Sequence, residues 1–170
     1  MASDTERDTE TDNGSDTEDE DVPIDLTTVR GMIDDAAFNE VETVTSDDDV
    51  FQINCWLQNT AVSVTGIPEE ERIVVSGRVE IEDWRGFDSL STPDREALYE
   101  RISEVVCGQP VTRHFVDELG QPVTFDEARE IRVARRLYED SGQQEIMDAV
   151  FLVRRYVDLL NVSVDRFLAQ

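Results

Sequence analysis

TFDEAREIRVARRLYED (124–140) is the stretch on which the fold turns. Two periodicities compete in it. Thr124-Phe125-Asp126-Glu127 has the form of a capping box, with a hydroxyl at the cap and Glu three residues on. Ala128, Ile131, Ala134 and Tyr138 then fall on one helix face. Ile131, Val133, Arg135 and Leu137 equally alternate as a strand. Pattern alone divides residues 126–138 evenly between strand and helix.

The flanks are clearer. C-terminal to the stretch, Ile146, Val150, Val153, Val157, Leu160, Val164 and Phe167 recur at helical spacing, behind Ser141 and Gln144 as an expected cap. A stripe this long packs across a sheet or against a partner helix, and core packing within the domain is the weightier expectation. Asn161, Val162, Ser163 and Val164 are weaker helix formers, so the helix is predicted to fray there. On the N-terminal side, Val111 to Val116 reads as a strand and Gly120 as a turn. A helix begins near Ser91–Pro93, buries Leu98, Ile102, Val105 and Val106, and stops at Gly108. Before it lie three short strands. They are Phe51–Leu57, then Ala61–Ile67 closed by Pro68 and three glutamates, then the alternating Ile73, Val75, Gly77, Val79 and Ile81. Short connections make an antiparallel meander the economical arrangement. A first helix is predicted over Ile24–Phe38, capped by Asp25 or Thr27. Gly31 inside it marks an expected close contact, and Asp47–Asp49 form a turn.

Charge bounds the setting. Fifteen arginines and no lysine stand against forty Asp and Glu, a net of −25 over 170 residues. The stretch Ser3–Asp21 contributes −9 of this and residues 22–170 the remaining −16, so the acidity extends beyond a tail. At molar salt the Debye length falls to about 3 Å, and the self-repulsion of such a chain is screened. The composition points to the cytoplasm of a salt-accumulating halophile. Residues 1–22 hold Asp, Glu, Thr and Ser without apolar periodicity and are expected to be a disordered acidic tail, with a single domain over 23–170. The missing cationic clusters argue against binding nucleic acid through its phosphates. No run approaches the apolar length of a membrane span, and no secretory signal opens the chain.

Residues 72–81 (RIVVSGRVEI), 94–102 (DREALYERI), 115–120 (FVDELG) and 130–153 (EIRVARRLYEDSGQQEIMDAVFLV) carry a resemblance. The chain resembles the fold shared by type III secretion chaperones and the YbjN-like proteins, and is more closely similar to an uncharacterised archaeal family of unknown function. The likeness covers about residues 24 to 168, with the acidic tail outside it. It implies an α+β fold of order α-β-β-β-α-β-β-α, with an antiparallel sheet of about five strands flanked by helices. It also implies that Ile131 to Tyr138 is a strand, and that the protein is a homodimer. It supplies no substrate, cofactor or catalytic residue, and fold does not fix function.

Chemistry-bearing residues are sparse. His114 is the one histidine, with no Ser or Cys nearby in sequence to serve as a nucleophile. Cys55 and Cys107 lie in apolar surroundings and are expected to be small buried hydrophobes. No zinc pattern, calcium loop or phosphate-cradling glycine motif occurs. Arg132, Arg135, Arg136, Arg154 and Arg155 form the notable local positive density. Ion pairing with Glu127, Glu130, Glu139 and Asp158 explains them as surface chemistry. A patch that grips a partner carboxylate is the functional alternative. The leading expectation is a non-enzymatic, chaperone-like protein-binding module with no cofactor. The competing ones are a small-ligand sensor or enzyme, and an acidic mimic of nucleic acid.

Overall fold

A computed structural model describes residues 24–47, 50–81 and 84–169. The acidic segment 1–22 lies outside the described residues. Three helices and six strands follow in the order α1 (Leu26–Met32), β1 (Glu40–Asp47), β2 (Val50–Leu57), β3 (Thr60–Ile67), β4 (Arg72–Glu80), α2 (Thr92–Val106), β5 (Thr112–Val116), β6 (Glu130–Tyr138) and α3 (Gln143–Leu168). The strands form one antiparallel sheet of order β1-β2-β3-β4-β6-β5. The stretch 130–138 is therefore a strand. Its pairing with β4, Val75 against Arg135 and Gly77 against Val133, sets the alternation that the sequence left undecided. Thr124 still meets Glu127 (Oγ1 to Oε2, 3.1 Å), but the turn it begins is a single 3-10 turn, Phe125–Glu127.

The α+β class and antiparallel sheet agree with the sequence, and the count is six strands rather than five. The added strand, β1, is an edge strand paired only with β2. Its sequence, EVETVTSD, carries acids where a buried strand would carry apolar residues, so hydrophobic alternation is faint. The first helix is also shorter than predicted. Asp25 caps it by accepting the Thr28 N–H, but Asp34 then accepts the Ala36 N–H and starts a 3-10 turn, which ends the α-helix at Met32.

All three helices lie on one side of the sheet. Ile53, Cys55, Val62, Val64, Ile73, Val75, Ile131 and Val133 are buried on that side, beneath α3. The α3 stripe Ile146, Val150, Val153, Val157, Leu160 and Val164 is buried in the core, as expected, and its last member, Phe167, packs half-buried against it. Ser141 does not cap α3. Its Oγ accepts from the Tyr138 N–H, and Gly142 takes the cap position. Nor does α3 fray near residue 161. Ser163 is buried and accepts from Arg101 Nε at 3.1 Å, tying α2 to α3 beyond the weak helix formers.

Two glycines set packing distances. A Cβ on Gly77 would stand 2.7 Å from Val157 Cγ2 and 3.2 Å from Val153 Cγ1, so the missing side chain lets α3 settle on β4. A Cβ on Gly66 would overlap the Phe51 ring. Gly31, by contrast, has no neighbour there, so the expected close contact is absent. Gly77→Ala and Gly66→Ala are each expected to lower unfolding stability by about 1–3 kcal/mol through overpacking. Gly31→Ala, in an exposed helix, raises it by about 0.5–1 kcal/mol. Denaturant unfolding in molar KCl measures all three. A second expectation concerns the thiols. Cys55 is buried and its thiol is pushed up to about 11 by desolvation, whereas Cys107 is exposed, correcting the expectation that both are buried. At pH 8 a thiol reagent should modify one cysteine in the native protein and two after denaturation.

Candidate functional site

Because the helices cover one side of the sheet, the other side faces outward, and strand pairing orders it in rungs. Trp56 lies opposite Ala61, and the register that sets Val62 against Gly77 carries Ala61 to Arg78. Arg78 lies opposite Arg132, and Arg132 opposite His114. One rung thus runs Trp56, Ala61, Arg78, Arg132, His114 across five strands. The next runs Asn54, Ser63, Ser76, Ala134, Thr112, all small or short polar side chains. Small residues between larger neighbours make a bowl of about 360 Å³, lined by Gln52, Asn54, Trp56, Ser63, Ser76, Arg78, Glu130 and Arg132 among others.

The bowl is held by its own hydrogen bonds. Gln52 donates to Asn54 Oδ1 (2.9 Å) and Ser63 Oγ (3.3 Å), and Ser63 donates to Asn54 Oδ1 (2.7 Å). Glu130 accepts from Arg132 Nε (3.2 Å) and Nη2 (3.1 Å), and Glu80 meets Arg78 Nε at 3.5 Å. Over β2, β3, β4 and β6, the outward positions carry four arginines, Arg72, Arg78, Arg132 and Arg136, against two glutamates, Glu80 and Glu130. On β1, Glu40 and Glu42 stand beside Trp56 and Asn54 on the same face, so arginines outnumber acids over the four middle strands and not over the whole face.

The arginines singled out from sequence are divided among three places. Arg132 and Arg136 lie on the outward face of β6. Arg135 lies half-buried on the helix side, in the row of Ile131, Val133 and Leu137. Arg154 and Arg155 belong to α3. Arg154 pairs with Asp158 (3.3 Å) and donates to Gln58 Oε1 (3.1 Å), while Thr60 donates to Asp158 (3.0 Å), so this pair fastens α3 to the β2–β3 hairpin. Arg78, Trp56, Gln52 and Asn54 escaped notice in the sequence, where they read as the polar half of amphipathic strands. The signal that marks them is a polar half with few acids.

His114 is exposed on the outward face, Cys55 is buried on the other side, and Cys107 ends α2, so no Cys–His pair forms. Among the described residues, no group of three or more His, Cys, Asp or Glu converges as a metal site, and no helix is long and apolar enough to cross a membrane. The bowl offers hydrogen-bond donors and acceptors and the ring of Trp56.

Geometry defines the class: a two-layer α+β protein with helices on one side of an antiparallel sheet and a polar, arginine-bearing face on the other. An uncharacterized protein from Methanothermobacter thermautotrophicus, known from its crystal structure, is similar to this chain with a TM-score of 0.65 at 11% identity, over 83% of this chain and 97% of that one. At that identity the likeness concerns fold alone. No family model matches the chain, and no curated protein matches it.

Arg78 and Arg132 are like charges directly opposite across β4 and β6, an arrangement that costs stability. Arg78→Thr is expected to stabilise the fold by roughly 0.2–1 kcal/mol. Thermal unfolding of the variant at fixed salt gives the sign.

Proposed function

We propose that this chain is a non-enzymatic, chaperone-like protein-binding module of a salt-accumulating cytoplasm, and that the outward sheet face holds the partner. One observation carries this reading: over β2, β3, β4 and β6 the face carries amides, hydroxyls, Trp56 and four arginines against two glutamates, in a chain of forty acids. Solubility in high salt requires carboxylates on the surface, and strands whose outward positions carry more arginines than acids serve another end. The type III secretion chaperone resemblance supports the same reading at the level of fold. The apolar α3 stripe no longer does, since the core consumes it.

Homodimerisation belongs to the proposal and falls on the outer side of α3. There Phe151, Leu159 and Val162 are each more than 40% exposed, with Arg154, Arg155 and Asp158 around them. Stripes of this kind associate more strongly as salt rises, because charge repulsion is screened while apolar burial is retained.

The test uses the full chain as bait in molar KCl. Ser76→Glu places a carboxylate at the centre of the outward face, and Leu159→Glu places one on α3. Captured proteins should be lost with Ser76→Glu and kept with Leu159→Glu, while light scattering shows the dimer lost only with Leu159→Glu. If Ser76→Glu captures the same proteins as the native chain, the face is not the binding surface.

A further inference from the structure

Arg78 and Arg132 lie opposite each other in strand register and line the same two concavities, and each has a partial carboxylate answer. Glu80 meets Arg78 at Nε alone, at 3.5 Å, and both contacts of Glu130 to Arg132 share one oxygen, Oε1. A guanidinium has five N–H donors, so most of the donors on this pair remain for a ligand. Their neighbour adds to the surplus. Asn54 Oδ1 already accepts two hydrogen bonds, from Gln52 and Ser63, so what Asn54 still offers is its amide N–H₂. A bowl rich in donors asks for an acceptor-rich occupant, and two adjacent guanidinium forks match the planar, bidentate geometry of a carboxylate.

The shape indicates how large the occupant is. Three concavities meet at Arg78. The bowl is one; a second extends past Arg132 to Arg129 and Gly120; the third turns round the strand ends at Thr60 and Ala61 to Val157 and Asn161 of α3, on the helix side. The first two together run across the strands from β2 to the loop after β5. Four strand spacings come to about 19 Å, which is the length of about six residues of extended chain. A compact metabolite would fill one concavity; an extended peptide segment uses both of those on the outward face.

We infer that this trough seats an extended acidic segment of a partner protein, with one Asp or Glu carboxylate clamped between Arg78 and Arg132 and the neighbouring residues lying toward Trp56. The inference rests on the protein-binding reading above and names the chemistry of the partner. Glu80, Asp117, Glu118 and Glu130 border the trough, and Glu40 and Glu42 of β1 flank its Trp56 end, so net attraction is not its means of recognition. At molar salt, charges act over about 3 Å. A direct fork-to-carboxylate contact survives such screening, while long-range attraction to the many other acids of the same cytoplasm does not. The like-charge pair that destabilises the empty sheet is relieved when the carboxylate arrives.

The test selects peptides from a displayed library of random twelve-residue sequences, using the full chain in molar KCl. Peptides held by the native chain and lost with Ser76→Glu should be enriched in Asp or Glu at one position. Their affinity should fall about tenfold or more with Arg132→Gln and by less with Arg132→Lys, which keeps the charge and loses the fork. Arg78→Thr should weaken them while the melting temperature stays level or rises, a pairing that a merely structural arginine would not produce. Half-buried Trp56 reports occupancy by fluorescence, since Trp84, the other tryptophan, is buried at 6% exposure. Face-dependent peptides without acid enrichment, or unaffected by Arg132→Gln, would overturn this inference and leave the protein-binding reading standing. Failure to select any face-dependent peptide, together with failure of the capture experiment, would overturn both. A Trp56 change that grows with protein concentration in the absence of peptide would give the face to a second copy and overturn the inference as well.

Discussion

The seating of α3 on the sheet governs the rest of the molecule. Six apolar side chains from Ile146 to Val164 meet the buried faces of β3, β4 and β6. The contact is close because Gly77 removes the one Cβ that would stand between β4 and Val157. Burial of that many branched aliphatic residues is the main favourable contribution available to a domain of this size. It also fixes an asymmetry. With α2 and α1 gathered around α3 on the same side, none of the helices among the described residues covers the opposite side of the sheet.

That uncovered side has to meet its environment without an apolar layer, and its residues show how. Gln52, Asn54 and Ser63 satisfy one another across β2 and β3, and the row Ser63, Ser76, Ala134 and Thr112 keeps the surface low along its middle. Arginines rise on the adjacent rung. A sheet face designed only to stay hydrated at high salt would carry carboxylates at these positions, as the rest of the chain does. Two arginines, Arg78 and Arg132, lie directly opposite each other there.

Much of the fold was legible in the residues. Alternation in 72–81, the Ser91 cap of α2 and the 4-3 spacing of α3 each reflect one local rule acting without competition. Legibility failed where two rules met. In 124–138 a true capping pair, Thr124 and Glu127, preceded a true strand pattern, and the cap served only a single turn. At β1 the acids demanded by the surface masked the alternation. In α1, Asp34 offered the backbone a local partner and shortened the helix. The site was less legible than the fold. Arg132 and Arg136 were noticed, but adjacency in sequence joined them to Arg135, Arg154 and Arg155, which the structure places on the other side of the sheet.

The sequence by itself determined the acid excess, the apolar stripe of α3 and which residues alternate in β2, β3 and β4, because these depend on composition and on spacings of two or a few residues. Only the tertiary structure decided that 130–138 pairs between β4 and β5, that the stripe is spent on the core, and that Trp56, Arg78, Arg132 and His114 share one rung. Those facts depend on strand register between segments far apart in the chain. Register is set by the collective burial of one face, and no single segment contains that information.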